Sequence, residues 1–298
     1  MRFLRRGDAA YPPLLAQLHD PPARLYLRGH AAIDLMTGPA VAVVGARSCS
    51  PYGSDVARTL GRELAGAGVV VVSGLARGID GEAHRGALEG GGATVAVLGC
   101  GIDRDYPRSH ADLAHRVAET GLIVSEYPPG VEPAPWRFPA RNRIIAGLCL
   151  ATVVVEARER SGALITADFA LELGRDVFAV PGEITAALSA GTNHLLRQGA
   201  APLLGVDDVL AAIGVERAPP APAPVSPEGT DLLRLLADAP RSADELARAC
   251  GRTSAEVAAT LVELELVGLV SATDGVYRCR SPRVDLSPET TLGARAPV

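Results

Sequence analysis

The 298-residue sequence predicts an α/β protein: an extended Rossmann-like, doubly wound, mostly parallel sheet, with a small winged-helix domain at its C-terminal end. Three observations carry that prediction. Six short β-branched runs alternate with helical patterns over about 175 residues, a proline- and alanine-rich stretch then interrupts the chain, and three further helical patterns lead into a hairpin signal.

The runs "VAVVGA" (41–46), "VVVVSGL" (69–75), "TVAVLGC" (94–100), "LIVSEY" (122–127), "TVVVEA" (152–157) and "VFAVPG" (177–182) are almost continuously apolar, as parallel strands covered on both faces must be. Helical patterns fall between them at 53–68, 78–90, 109–121 and 161–174, several closing on glycine. Residues 1–38, punctuated by proline in "YPPLLAQLHDPPARLYLRG", form a lead-in, and 39–214 form the sheet domain. Residues 215–228, "VERAPPAPAPVSPE", make a semi-rigid linker. The three helices and the hairpin around Asp274–Gly275 occupy 229–280, and 281–298 has the composition of a disordered tail.

With 48% apolar and 21% charged residues, the chain supplies a large core. Neither a signal-peptide core nor an apolar run of about 18 residues is present, which predicts a cytoplasmic protein without a membrane partner. The five cysteines are scattered, which argues against a disulfide framework or a metal site. All 29 basic residues are arginine, so positions where a family uses lysine can hold arginine here. The net charge of −5 argues weakly against unspecific nucleic-acid binding but says nothing of a local cleft.

Ligands of open α/β sheets bind at the carboxyl ends of the strands, where helix N-termini present free amides. Here five such ends are rich in Gly, Ser and Arg: "VGARSCSPYG", "SGLARGIDGEAH", "GCGIDRDYPRSH", "SGALITAD" and "PGEITAALSAGTNHLL". Together they predict a phosphate-lined crevice. The dinucleotide fingerprint is absent, because Ala46, Arg47, Ser48 and Cys49 follow Gly45 and no acidic residue ends the second strand. A Walker A sequence is also missing. Arg47 and Arg108 emerge at strand ends, with solvated loop charges as the alternative.

In "WRFPARNRIIAGLC" (136–149), Pro139 is expected to stop any upstream helix, leaving Arg141, Asn142 and Arg143 in the first turn of a short one. Cations there oppose the macrodipole by roughly 0.3–1 kcal/mol, a penalty that a bound anion reverses. The competing reading pairs one of these arginines with Glu126, Glu132 or Glu156. Trp136 and Phe138 are candidate base-stacking surfaces or packing groups. Asp80 and His84, four apart on a helix, suit a structural hydrogen bond better than acid–base work. Ser161 reads as an N-cap or phosphate contact. No nucleophile with a base and an orienting group is apparent, so the sequence predicts a protein that is not an enzyme, with no catalytic residue and no cofactor.

These motifs, with "LIVSEYPPG", "VVVEARERSGALITADFALELGRDVFAVPG" and "GTNHLLRQGA", resemble in order the DNA-processing family DprA/Smf over roughly residues 11–214. The resemblance implies a protein that binds single-stranded DNA in its Rossmann-like domain and dimerises through that domain. It further implies protection of incoming strands and loading of the RecA recombinase during natural transformation (competence). Carried over, the DNA-binding residues are Arg47, Ser73, Gly74, Arg77, Gly78, Arg108, Arg141, Asn142 and Arg143, with Ser161, Gly162, Thr166, Gly191, Thr192 and Asn193 as the rim. Many members begin with a SAM-like helical domain, whereas only about ten residues precede Tyr11 here. The runner-up function is a nucleotide-processing enzyme of the phosphoribohydrolase-like type, whose compact "PGGxGT" loop is spread here into "PGEITAALSAGTN".

The C-terminal module carries eight acidic residues against six arginines over 229–280, and its third helix has no basic residue. Readers of a DNA groove need a positive face. The module is therefore expected to bind protein or support a dimer.

Overall fold

A computed structural model describes residues 2–217, 225–267, 269–273 and 275–279. Two compact units divide the chain, residues 1–218 and 219–298.

In the first unit, β3 (Ala40–Val44), β4 (Val70–Ser73), β5 (Thr94–Leu98), β6 (Leu122–Ser125), β7 (Ala151–Val154), β8 (Asp176–Ala179) and β9 (Ala201–Pro202) run parallel. The spatial order is β6-β5-β4-β3-β7-β8-β9. The chain thus builds outward from β3 in one direction and then returns to β3's other side at β7. That reversal opens a crevice at the carboxyl ends of β3 and β7.

The period-2 alternation of strands explains the layering. Val41 and Val43 point into a cluster with Leu60 and Leu64 of α1 (Pro51–Gly66), Ile79 and Ala83 of α2 (Ile79–Glu89) and Val209 of α7 (Val206–Ala212). Leu113 and Val117 of α3 (Ala111–Thr120) cover Ala96 and Ile123. Ala42 and Val44 point to the other face, onto Ile144 and Leu148 of α4 (Arg137–Leu148), Ala167 of α5 (Gly162–Glu172) and Leu195 of α6 (Ala190–Arg197).

The lead-in joins the sheet instead of merely preceding it. Its strands β1 (Arg2–Arg5) and β2 (Arg24–Arg28) add an antiparallel edge, β2 pairing with β6. Tyr11, Leu15 and Leu18 sink into the core beside α4. Helix α4 itself starts at Arg137, and Pro139 is its third residue. Proline is tolerated there because first-turn N–H groups have no intrahelical acceptor. Arg141 to Arg143 therefore stand in the second turn, not the first.

The second unit is a winged helix: α8 (Pro227–Asp238), β10 (Arg241–Ser242), α9 (Ala243–Cys250), α10 (Ser254–Leu266), then β11 (Val270–Thr273) and β12 (Val276–Cys279) in a three-stranded antiparallel sheet. Capping boxes at Ser242–Glu245 and Thr253–Glu256 start α9 and α10. Helix α8 begins inside the segment expected to be linker, while 218–224, Asp274 and the expected tail at 281–298 lie outside the described residues.

Candidate nucleic-acid interface

Arg47 leaves the end of β3 on a loop fixed from both sides. The Ala46 amide donates to the Glu156 carbonyl at 2.7 Å, and the Ala46 carbonyl accepts from the Ile79 amide at 3.2 Å. Gly78 precedes α2 with φ +75°, and a Cβ there would lie 2.2 Å from the Ala46 carbonyl oxygen, so this crossing requires glycine. The Arg47 side chain is exposed and has no ion-pair partner among the described residues. Its guanidinium lies 5.3 Å from the centre of the Phe138 ring, which stacks on Tyr106 at 5.3 Å and 24°.

The loop after β4 lies beside it. The Gly74 amide donates to the Asp80 carboxylate at 3.1 Å, and the Gly74 carbonyl accepts from Arg141 at 2.9 Å. Arg141 also donates to the Val97 carbonyl and so stitches the ends of β4 and β5 together. It is 4% exposed. Burial pushes the Asp80 carboxyl above its ordinary range and lowers the Arg141 guanidinium to about 10, each shift opposed by the other's charge.

Around this floor runs a cleft in two connected parts. The larger, about 240 Å³, is bordered by Arg47, Arg77, Arg108, Tyr106, Phe138 and Arg141. The smaller, about 200 Å³, shares Arg47, Phe138 and Arg141 and continues past Asp80 and Asn142 to Ser161, Gly162 and Thr166. Arg77 and Arg108 are exposed and, like Arg47, lack an ion pair among the described residues. Three free guanidinium groups and a stacked aromatic pair thus share one concave edge, a chemistry suited to phosphates and flat bases.

The structure brings together only part of the expected set. Arg47, Gly74, Arg77 and Arg108 border the larger part of the cleft, and Asn142, Ser161, Gly162 and Thr166 border the smaller. Gly78 supports it from behind. Ser161 caps α5, accepting from the Ala163 amide at 3.3 Å, and Asn142 donates to the Gly162 carbonyl at 2.9 Å.

Ser73 is buried with its hydroxyl donating to the Val43 carbonyl at 2.7 Å, so it ties two strands and does not reach the cleft. Arg143 does not reach it either. That arginine forks onto Glu126 at 2.7 and 2.9 Å and donates to the Asp20 carbonyl at 3.1 Å, the internal pairing that competed with an anion site. Gly191 and Asn193 border a different pocket with Glu159 and Arg197, while Thr192 is buried against the Ser189 carbonyl. Arg141 borders the cleft but spends donors on carbonyls.

Of the four-apart pair, Asp80 holds the Gly74 loop and His84 lies buried, hydrogen-bonded to Thr94 at 2.8 Å. Both therefore make the structural hydrogen bonds expected of them. Sequence reasoning missed Tyr106, for which the aromatic in "DYPR" beside Arg108 was the available signal.

Comparisons with known proteins find relatives for both units. The family model for DNA recombination-mediator protein A matches residues 2–214, and the one for the DprA winged helix domain matches 216–275. The DNA processing protein DprA of Streptococcus pneumoniae is 47% identical over 208 residues, covering 68% of this chain and 71% of that protein. Protein Smf of Escherichia coli is 41% identical over 279 residues, covering 90% of this chain and 74% of that protein. The solved S. pneumoniae DprA structure has a TM-score of 0.67 at 45% identity, covering 70% of this chain and 73% of that one. A structure of Helicobacter pylori DprA, described as revealing its single-stranded DNA binding mode, has a TM-score of 0.63 at 32% identity over 70% of this chain and 94% of that one. With both of its units matched in order, sheet and winged helix alike, the chain belongs to the DprA/Smf family of DNA-processing recombination mediators.

Proposed function

We propose that this DprA-family protein binds single-stranded DNA in the cleft at the ends of β3, β4, β5 and β7. Phosphates lie on Arg47, Arg77 and Arg108, and bases lie against Phe138 and Tyr106. The observation that carries this reading is the convergence of three exposed arginines without ion-pair partners, among the described residues, on one aromatic-floored edge. The H. pylori relative, whose structure concerns single-stranded DNA binding, supports it. On this reading the protein acts in the cytoplasm as a homodimer through its sheet domain. It protects incoming strands and loads RecA during natural transformation, and it does so by binding alone, without catalysis.

The winged helix is assigned to protein contact. Helix α10 exposes Val262 and Leu266 and carries Glu256, Glu263 and Glu265, a surface that repels phosphate.

Fluorescence anisotropy with single-stranded and duplex oligonucleotides tests the DNA reading, and adding RecA to the bound fraction tests the handover. Tighter binding to single strands and faster RecA filament growth are expected. Equal affinity for duplex, or filaments that grow no faster, would overturn the respective part.

A further inference from the structure

The switch point of the sheet holds another pocket, of about 560 Å³, bounded by the N-terminus of α1 and the loops after β7 and β8. In doubly wound sheets, that helix N-terminus takes a nucleotide's phosphate, because free amides and the macrodipole point at it. In this chain the position is filled from within. Glu156, two residues past β7, turns its carboxylate onto the first turn of α1. One oxygen accepts from the Ser50 amide at 2.9 Å and the other from the Ser50 hydroxyl, which in turn accepts from the Gly53 amide at 3.0 Å.

Glu156 is 5% exposed, although it also lines the pocket. It fits only because residue 53 is glycine: a Cβ there would stand 2.4 Å from the carboxylate. The other charged side chain lining the pocket is Glu183, and no basic residue lines it among those described. A phosphate entering would meet a carboxylate where a nucleotide-binding sheet offers amides.

We propose that Glu156 is a specificity-determining residue, an internal anion seated in the phosphate position of α1 that makes the nucleotide-sized pocket at the switch point refuse mononucleotides. The consequence for polynucleotides rests on the reading above. With this position closed, a DNA phosphate is directed away from the switch-point pocket and toward the arginine cleft. Neutralising the first turn of α1 from inside also lets the Arg47 loop stay fixed whether or not DNA is bound.

The test is titration calorimetry of the full chain with AMP and, separately, with inorganic phosphate at low ionic strength. Glu156→Ala removes the stopper and leaves the Ser50 amide and hydroxyl facing the pocket. It is expected to bind AMP at least about tenfold more tightly than the parent, with phosphate competing. Glu156→Gln fills the same volume and is expected to stay closed. A parent that binds AMP as well as Glu156→Ala does, or a folded Glu156→Ala that gains nothing, would overturn the proposal. Should the alanine variant not fold, Glu156→Ser carries the same expectation and the same refutation, its short side chain likewise leaving the Ser50 amide uncovered. Oligonucleotide binding by the parent, measured in parallel, tests the arginine cleft separately, so either reading can fail alone.

Discussion

Replacing Arg47 with alanine separates binding from folding. The side chain is exposed, has no ion pair among the described residues and touches the fold mainly through the Phe138 ring at 5.3 Å. Its loss should change stability by no more than about 0.5 kcal/mol. A guanidinium on a phosphate is a hydrogen bond to a charged group, worth about 1.5–3 kcal/mol. At about 1.4 kcal/mol per tenfold, Arg47→Ala should weaken single-stranded DNA binding by roughly 10- to 150-fold. Salt provides a second and independent number. Each neutralised phosphate of a single strand contributes about −0.7 to the slope of log K against log salt, so three arginines give about −2 and two give about −1.4. Anisotropy titrations from about 50 to 200 mM salt read both quantities, and a thermal melt reads stability. A variant that kept the parent's affinity and slope would refute the cleft, and one that lost affinity along with its melting temperature would refute Arg47 as a contact.

The other replacements distinguish support from contact. Arg141→Gln strips the Gly74 and Val97 carbonyls of their donor and leaves Asp80 buried without its counter-charge. It should cost about 3–5 kcal/mol, a fall of roughly 6–20 °C in melting temperature, and an unchanged melt would show that Arg141 is no stitch. Phe138→Ala removes a stacking surface and should weaken oligonucleotide binding by about 1–3 kcal/mol while leaving the salt slope intact; a shallower slope would contradict a purely stacking role. Burial lowers His84 to about 3, so the folded protein holds it neutral while the unfolded chain binds a proton below about 6.5. Its contribution is complete above pH 6.5 and declines toward pH 3 at about 1.4 kcal/mol per unit, a dependence that His84→Gln should flatten in urea melts at pH 7.5 and 5. The winged-helix unit, residues 226–279, should leave duplex DNA unbound at micromolar concentration and physiological salt, and a gel shift there would overturn its assignment to protein contact.

The parallel sheet was legible because it is written in local terms. Runs such as "VAVVGA" are buried on both faces, and burial on both faces leaves apolar residues at every position. The antiparallel edge was not legible, because β2, "RLYLR", alternates and pairs with β6 nearly a hundred residues away. Nothing in the local pattern names that partner. Strand β9, two residues long and exposed, carries no periodicity at all. Helix α4 shows a third kind of limit: Pro139 reads as a stop, but the cost of a proline depends on its position within the first turn, which the sequence leaves open by a few residues.

The same limit decides which arginines can meet DNA. Sequence reports where a cation is, not what it is already bound to. "WRFPARNR" gathers three arginines and two aromatics in eight residues, yet Arg141 is bound to two backbone carbonyls, Arg143 to Glu126, and Arg137 to the Glu132 carbonyl and the Trp136 ring. The aromatic surface this helix offers the cleft is Phe138, held against Gly99, where a Cβ would stand 2.8 Å from the ring. The free cations come instead from three separate loops, one arginine each, after β3, after β4 and after β5. For a lone loop arginine such as Arg47 or Arg108, the sequence leaves a solvated charge standing as the alternative to an anion contact. Only the fold shows that the three converge, on an edge where Arg141 ties the ends of β4 and β5 together. An acidic protein can therefore keep its net charge and still present a cationic edge, because what a phosphate meets is the uncommitted guanidinium within reach and not the sum over the chain.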